Sequence, residues 1–165
     1  MIFDDYFWDS DIALISAFNR AAVKYMLVGG EAVRFYGART DDDAKNDTDI
    51  LYRHDLENCK HISKAVSEIY PQFANGNHIL NVNELAKPKR QCKVEGISVD
   101  LLGCSEFSEY DDFEKRALTN MVSGLSVKII SLPDLILMKE IAVKDIGNEL
   151  RKHSRDLDAL RILRK

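Results

Sequence analysis

The segment Asp47-Thr48-Asp49-Ile50-Leu51-Tyr52 constrains this chain more than any other. Its second half is an apolar run that reads as a strand, and its first half carries acids at positions i and i+2. Side chains alternate between the faces of a strand, so Asp47 and Asp49 point to one place. Two neighbouring carboxylates repel each other and are costly to desolvate. A fold that buries the apolar half must give the acidic half a counter-charge or leave it in solvent. A hard divalent cation such as Mg2+ meets that need, because it prefers carboxylate oxygens. A polar strand start or a solvated Asp turn is the alternative reading. Asp41-Asp42-Asp43 repeats the spacing, but no apolar run follows it, which marks a solvated loop.

A third acid stands in similar company. Residues 90–94, a Glu95-Gly96 turn and residues 97–102 read as a β-hairpin. In its second arm Ile97, Val99 and Leu101 face one way, while Ser98 and Asp100 face the other. A carboxylate in such a strand is expensive unless it is paired or metal-bound. If this arm lies beside the strand that starts at Asp47, the three carboxylates converge. Asp100 capping a turn near Gly103 is the alternative.

Upstream, Tyr25-Met26-Leu27-Val28 is a short apolar run stopped by Gly29-Gly30 and followed by a short helical stretch to Tyr36. A glycine pair between strand and helix leaves backbone amides exposed at a helix start, which suits phosphate. It is neither a GxGxxG fingerprint nor a P-loop, since no Gly-Lys-Ser/Thr follows. A plain turn is the competing reading.

The rest of the chain alternates between the two periodicities. Asp9 or Ser10 caps a first helix carrying Ile12, Ile15 and Ala22, with Asn19 as a lapse on its apolar face. Asp55 caps a helix with Cys59, Ile62, Val66 and Ile69 on one side, and Pro71 lies just past its end. Residues 79–82 and 125–130 read as strands. Ser131-Leu132-Pro133-Asp134 opens a helix through Leu135 and Met138, and a last helix from about Ser154 buries Leu157 and Leu160. With no linker, repeat or low-complexity tract, a single domain over residues 1–165 is the simplest organisation. Strands and helices mix around a hairpin, which predicts an α+β fold: a mixed β-sheet with helices packed on it and a helical C-terminus.

Composition excludes several classes. With 45% apolar and 30% charged residues the chain is neither disordered nor a membrane span. No window approaches the roughly eighteen apolar residues of a spanning helix. A net charge of −4 argues against a protein that coats nucleic acid. Cys59, Cys92 and Cys104 are scattered, with no CxxC pair, which favours reduced thiols over a disulfide framework or zinc site. His54 and His61 share a helix-like spacing but lack further ligands, and read as packed or surface histidines. The acidic N-terminal stretch has no leader pattern. A soluble, cytoplasmic protein is expected.

Taken in order, these pieces resemble the nucleotidyltransferase superfamily typified by polymerase beta. The likeness runs through "LVGGEAVRFYGART", "DTDILY", "VEGISVDLLG", "VKIISLPDLILMKEIAVK" and "RKHSRDLDALRIL", from about Tyr25 to Leu163. Within the superfamily the chain is most similar to small bacterial proteins akin to the abortive-infection nucleotidyltransferases of toxin–antitoxin pairs. The resemblance implies that Gly29 and Gly30 hold a triphosphate and that Asp47, Asp49 and Asp100 bind two Mg2+ ions. Asp100 would also help deprotonate the attacking group. It further implies that Arg39 and Thr40 stand near phosphate, that Lys139 reaches the nucleotide, and that Arg155, Asp156 and Asp158 belong to a C-terminal motif. The implied activity is transfer of a nucleoside monophosphate from a nucleoside triphosphate to an acceptor: a protein, a tRNA or a small molecule. A non-catalytic module of the same fold, working with a cognate partner protein, is the alternative. Two departures bear on the choice. Glu31 follows the glycine pair where many active members carry serine, and the stretch from Arg39 to Asp47 is longer than in compact members.

Overall fold

The structure is a computed structural model of the 165-residue chain. It describes residues 7–39, 48–73, 81–86, 91–93, 99–104, 107–145 and 150–164. In chain order these form α1 (Asp9–Arg20), β1 (Tyr25–Leu27), α2 (Gly29–Phe35), β2 (Thr48–Arg53), α3 (Leu56–Ile69), a 3-10 turn (Pro71–Phe73) and α4 (Val82–Leu85). They continue with β3 (Gln91–Lys93), β4 (Val99–Cys104), α5 (Phe107–Arg116), β5 (Leu118–Val122), β6 (Leu125–Ile129), α6 (Leu132–Asp145) and α7 (Leu150–Leu163).

The strands make one sheet in the order β3-β4-β2-β1-β6-β5. β1 runs antiparallel to β2 and parallel to β6, and β2 runs parallel to β4. The pairs β3–β4 and β5–β6 are antiparallel. The sheet is therefore mixed, with helices packed around it and a helical C-terminal region, as the α+β expectation requires. β1 and β2 sit at the centre, where strands covered on both faces read as continuous apolar runs. All three residues of β1 are buried, as are Ile50, Leu51 and Tyr52 of β2. α1 packs against α3, and α6 against α7. Among the described residues no helix is long and apolar enough to cross a membrane.

Local chemistry explains most boundaries. Asp55 accepts the Asn58 N–H at 2.9 Å and starts α3, whose Cys59, Ile62 and Val66 are buried. Ser131 receives the Asp134 N–H at 3.4 Å and donates its hydroxyl to the Asp134 carboxylate at 2.6 Å, which opens α6. α1 begins at Asp9 with Trp8 ahead of it, whose N–H donates to Asp11 Oδ2 at 2.9 Å. The buried Phe7 anchors this end in the core.

Several expectations change. Asp9 and Ser10 lie inside α1 and Trp8 holds the cap position, so neither of them caps the helix. Val82 begins a helix instead of ending a strand, because Leu85 turns into the core, where Tyr52 Oη donates to its carbonyl at 2.8 Å. Residues 79 and 80 lie outside the described residues. α7 begins at Leu150, four residues before Ser154. α5 and β5 have no counterpart in the sequence reading. β5 is an edge strand with three of its five residues exposed to solvent, so its apolar residues do not form a buried run. The hairpin of β3 and β4 is present, while its Glu95-Gly96 turn lies outside the described residues.

Candidate active site

Parallel pairing of β2 with β4 sets Thr48 beside Val99 and Asp49 beside Asp100. Register partners on adjacent strands project from the same face, and the strands stand about 4.8 Å apart. Thr48 and Val99 point into the core, and both are fully buried. Asp49 and Asp100 therefore share the other face, half-buried and next to each other. Asp47 lies outside the described residues, as does Thr40.

The glycine turn closes over this pair from the neighbouring strand. Val28 extends β1 by donating its N–H to the Asp49 carbonyl at 3.0 Å. Gly29 then adopts φ +59°, a left-handed conformation that glycine takes without strain, and α2 begins. The Gly30 N–H donates to Asp49 Oδ2 at 3.3 Å. A Cβ built on Gly29 would overlap the Asp49 carboxylate, and one on Gly30 would come within 2.9 Å of Arg39 Nη1. Gly29 is required by its backbone conformation and by the Asp49 carboxylate, whereas at Gly30 it is the end of the Arg39 side chain that a Cβ would meet.

Arg39 reaches the turn from a buried ionic cluster. Its Nε and Nη2 donate to the two carboxylate oxygens of Asp156 in α7, at 2.9 and 2.7 Å. Lys139 of α6 donates to the same Asp156 Oδ2 at 2.8 Å, with His153 Nδ1 3.5 Å away. The exposures of Arg39, Lys139 and Asp156 are 6%, 5% and 1%, so water screens the cluster little. Burial works to raise the Asp156 pKa, but the hydrogen bonds from Arg39 and Lys139 outweigh it and hold the carboxyl below its ordinary range. Arg39 and Lys139 thus converge on one carboxylate, and the Arg39 guanidinium lies against Gly30.

Glu31 is the residue whose place the sequence did not reveal. Its side chain is fully buried under the turn. Oε2 accepts the Asp49 N–H at 3.4 Å, and Oε1 lies 3.6 Å from Arg34 Nη1, itself buried. Burial, and next the charge of Asp49, push the Glu31 carboxyl up to about 8. Near neutral pH it is largely protonated, and it braces the strand from below. The run 31–34 is too short to show an inward-facing stripe, so no periodicity signalled this.

The donor set here is all oxygen. Asp49 and Asp100 match the preference of Mg2+ for carboxylates. Among the described residues no group of three His, Cys, Asp or Glu side chains could hold a metal ion, and the third expected donor, Asp47, is not among them. His54 and Cys59 are buried packing residues. A separate cavity of about 390 Å3, lined by Asn19, Lys24, Tyr25, Glu114 and Lys128 among others, opens at the far end of β1.

No protein-family model matches the chain, and no curated protein matches it. Among solved structures it is similar to an antigenic nucleotidyltransferase-like protein from Paracoccidioides brasiliensis. The TM-score is 0.54 at 11% sequence identity, over 93% of this chain and 75% of that one. At this identity the likeness is one of fold: the chain shares the overall architecture of a nucleotidyltransferase-like protein.

Proposed function

We propose that this chain is a metal-dependent nucleotidyltransferase that moves a nucleoside monophosphate from a nucleoside triphosphate to a protein, tRNA or small-molecule acceptor. The observation that carries this is the register of Asp49 with Asp100 directly against the Gly29–Gly30 turn. Asp49, Asp100 and, from the sequence, Asp47 would hold the ions. Bound Mg2+ supplies charge neutralisation on the phosphates and lowers the pKa of the acceptor oxygen. The acceptor oxygen attacks the α-phosphorus, the bond to the bridging oxygen breaks, and pyrophosphate leaves. Asp100, on the strand farther from the turn, takes the acceptor's proton. The turn's backbone and the cations Arg39 and Lys139 face the triphosphate side, and Thr40 would join them. In this reading residues 1–165 act as one cytoplasmic unit.

The test is thermal stability with Mg2+ and a non-hydrolysable triphosphate, together with labelled nucleotide transfer in a cell lysate. A ligand that binds the native state raises its stability by mass action. The proposal predicts a shift in wild type that Asp49→Asn loses, and a labelled product that disappears with it. Equal shifts in the two proteins would refute it.

Two observations favour a second reading, a non-catalytic module acting with a cognate partner as in a toxin–antitoxin pair. Both site cations are already bonded to Asp156, and Glu31 stands where a phosphate-contacting serine is common. This reading predicts no transfer product and no triphosphate shift in wild type.

A further inference from the structure

We infer that Asp156 is a positioning residue, which aims Arg39 and Lys139 at the phosphate side of the Gly29–Gly30 turn. The inference rests on the nucleotidyl-transfer reading and extends it to α7. Its basis is the way the Arg39 guanidinium is shared. The Nε–Nη2 edge grips Asp156 through two bonds, at 2.9 and 2.7 Å. That grip sets the plane of the guanidinium, and Nη1 is then the nitrogen turned toward Gly30. A two-point grip fixes orientation as well as distance, which a single contact does not. Lys139, from a different helix, is drawn to the same Oδ2. One carboxylate therefore sets the place of both cations.

A merely structural staple between α6 and α7 would not need this arrangement. Apolar contacts join helices at lower cost, since a buried carboxylate must recover its desolvation energy from its partners. Those contacts are present in any case, for Leu157 and Leu160 of α7 are buried in the core. Asp156 adds orientation of two cations, one of them lying against the glycine turn.

The experiment titrates Mg2+ with inorganic pyrophosphate, and separately with a non-hydrolysable triphosphate, into the full-length protein by calorimetry. Wild type is compared with Asp156→Asn, Arg39→Lys and Leu160→Ala, below the melting temperature of each. Asp156→Asn is expected to weaken pyrophosphate binding roughly tenfold or more, since a displaced cation loses its alignment. Arg39→Lys keeps the charge but lacks the fork, and is expected to lose affinity similarly. It carries the test if Asp156→Asn does not fold. Leu160→Ala loosens the same helix without touching the cations, and is expected to stay within about twofold of wild type. Equal affinities for Asp156→Asn and wild type, tighter binding by Asp156→Asn, or an equal loss in Leu160→Ala would each overturn the inference. Asp156-dependent pyrophosphate binding with no labelled nucleotide transfer would leave the inference standing and sink the transferase reading. Transfer with the triphosphate KM unchanged in Asp156→Asn would do the reverse. Failure of wild type to bind either probe would remove both.

Discussion

The carboxylate of Asp49 fills the space that a side chain on Gly29 would need, and it accepts the next amide, that of Gly30, at 3.3 Å. This contact ties β2 to the turn that leaves β1, so the geometry of the turn and the position of the acid depend on each other. On the other flank Gly30 has Arg39 against it. The turn is thus packed between an acid and a base, and side-chain volume at either glycine displaces one of them.

Gly29→Ala meets two penalties, a left-handed φ and overlap with a carboxylate on a central strand. It should destabilise the protein by about 2 kcal/mol or more. Gly30→Ala meets only the Nη1 end of Arg39, with no left-handed φ to strain, and gains helix propensity, so it should cost less than Gly29→Ala. Urea denaturation of both variants checks the order; equal midpoints would contradict it.

Asp49→Asn and Asp100→Asn should each weaken Mn2+ binding, used as a spectroscopic stand-in for Mg2+, by roughly tenfold or more. Electron paramagnetic resonance of free Mn2+ reads this without any turnover. Asp112→Asn, a surface acid paired with Lys115, should leave the titration unchanged.

Glu31 gives stability a pH slope. Its carboxyl titrates near 8 in the folded protein, against an ordinary value of 4.5. Between those values the folded state holds a proton that the unfolded state has released, so stability falls as pH rises. The contribution is complete below about 4.5 and lost through about 8. The limiting slope for one such group is about 1.4 kcal/mol per pH unit. Glu31→Gln should flatten this slope in metal-free buffer and make the variant the more stable protein at pH 9. Denaturation series between pH 5 and pH 9 measure it.

Asp156→Ala leaves two buried cations without their shared anion, and should cost about 3–5 kcal/mol. Lys139→Met keeps the two-point Arg39–Asp156 pair and should cost about 1–2 kcal/mol. Chemical denaturation ranks the two, and a smaller loss in Asp156→Ala would show that the cluster is not held together by this carboxylate.

What was legible follows from the range of each interaction. α3 could be read because its cap, Asp55, and its stripe, Ile62 and Val66, lie within fourteen residues or fewer of one another along the chain. Asn19 looked like an error on the apolar face of α1. It is instead a bridge, donating to the Ser126 carbonyl at 2.8 Å and accepting from Tyr25 Oη at 3.0 Å. α5 buries Tyr110 and Phe113 among charged neighbours, and β5 is exposed along most of its length, so neither announces itself by an unbroken pattern.

The sequence by itself determined the faces: period two put Asp100 opposite Val99 and Leu101, and Gly29-Gly30 marked the break after β1. These are properties of a few consecutive residues. Only the tertiary structure decided that β4 pairs with β2 in the register that sets Asp49 beside Asp100. It also decided that Glu31 is buried under them, and that Arg39 finds its anion 117 residues away. A strand pattern states which side chains share a face, but it is the same for every neighbour and every shift by two residues. Which neighbour and which shift prevail depends on the sum of core contacts and buried charge pairings across the whole chain, and that sum exists only once the chain has folded.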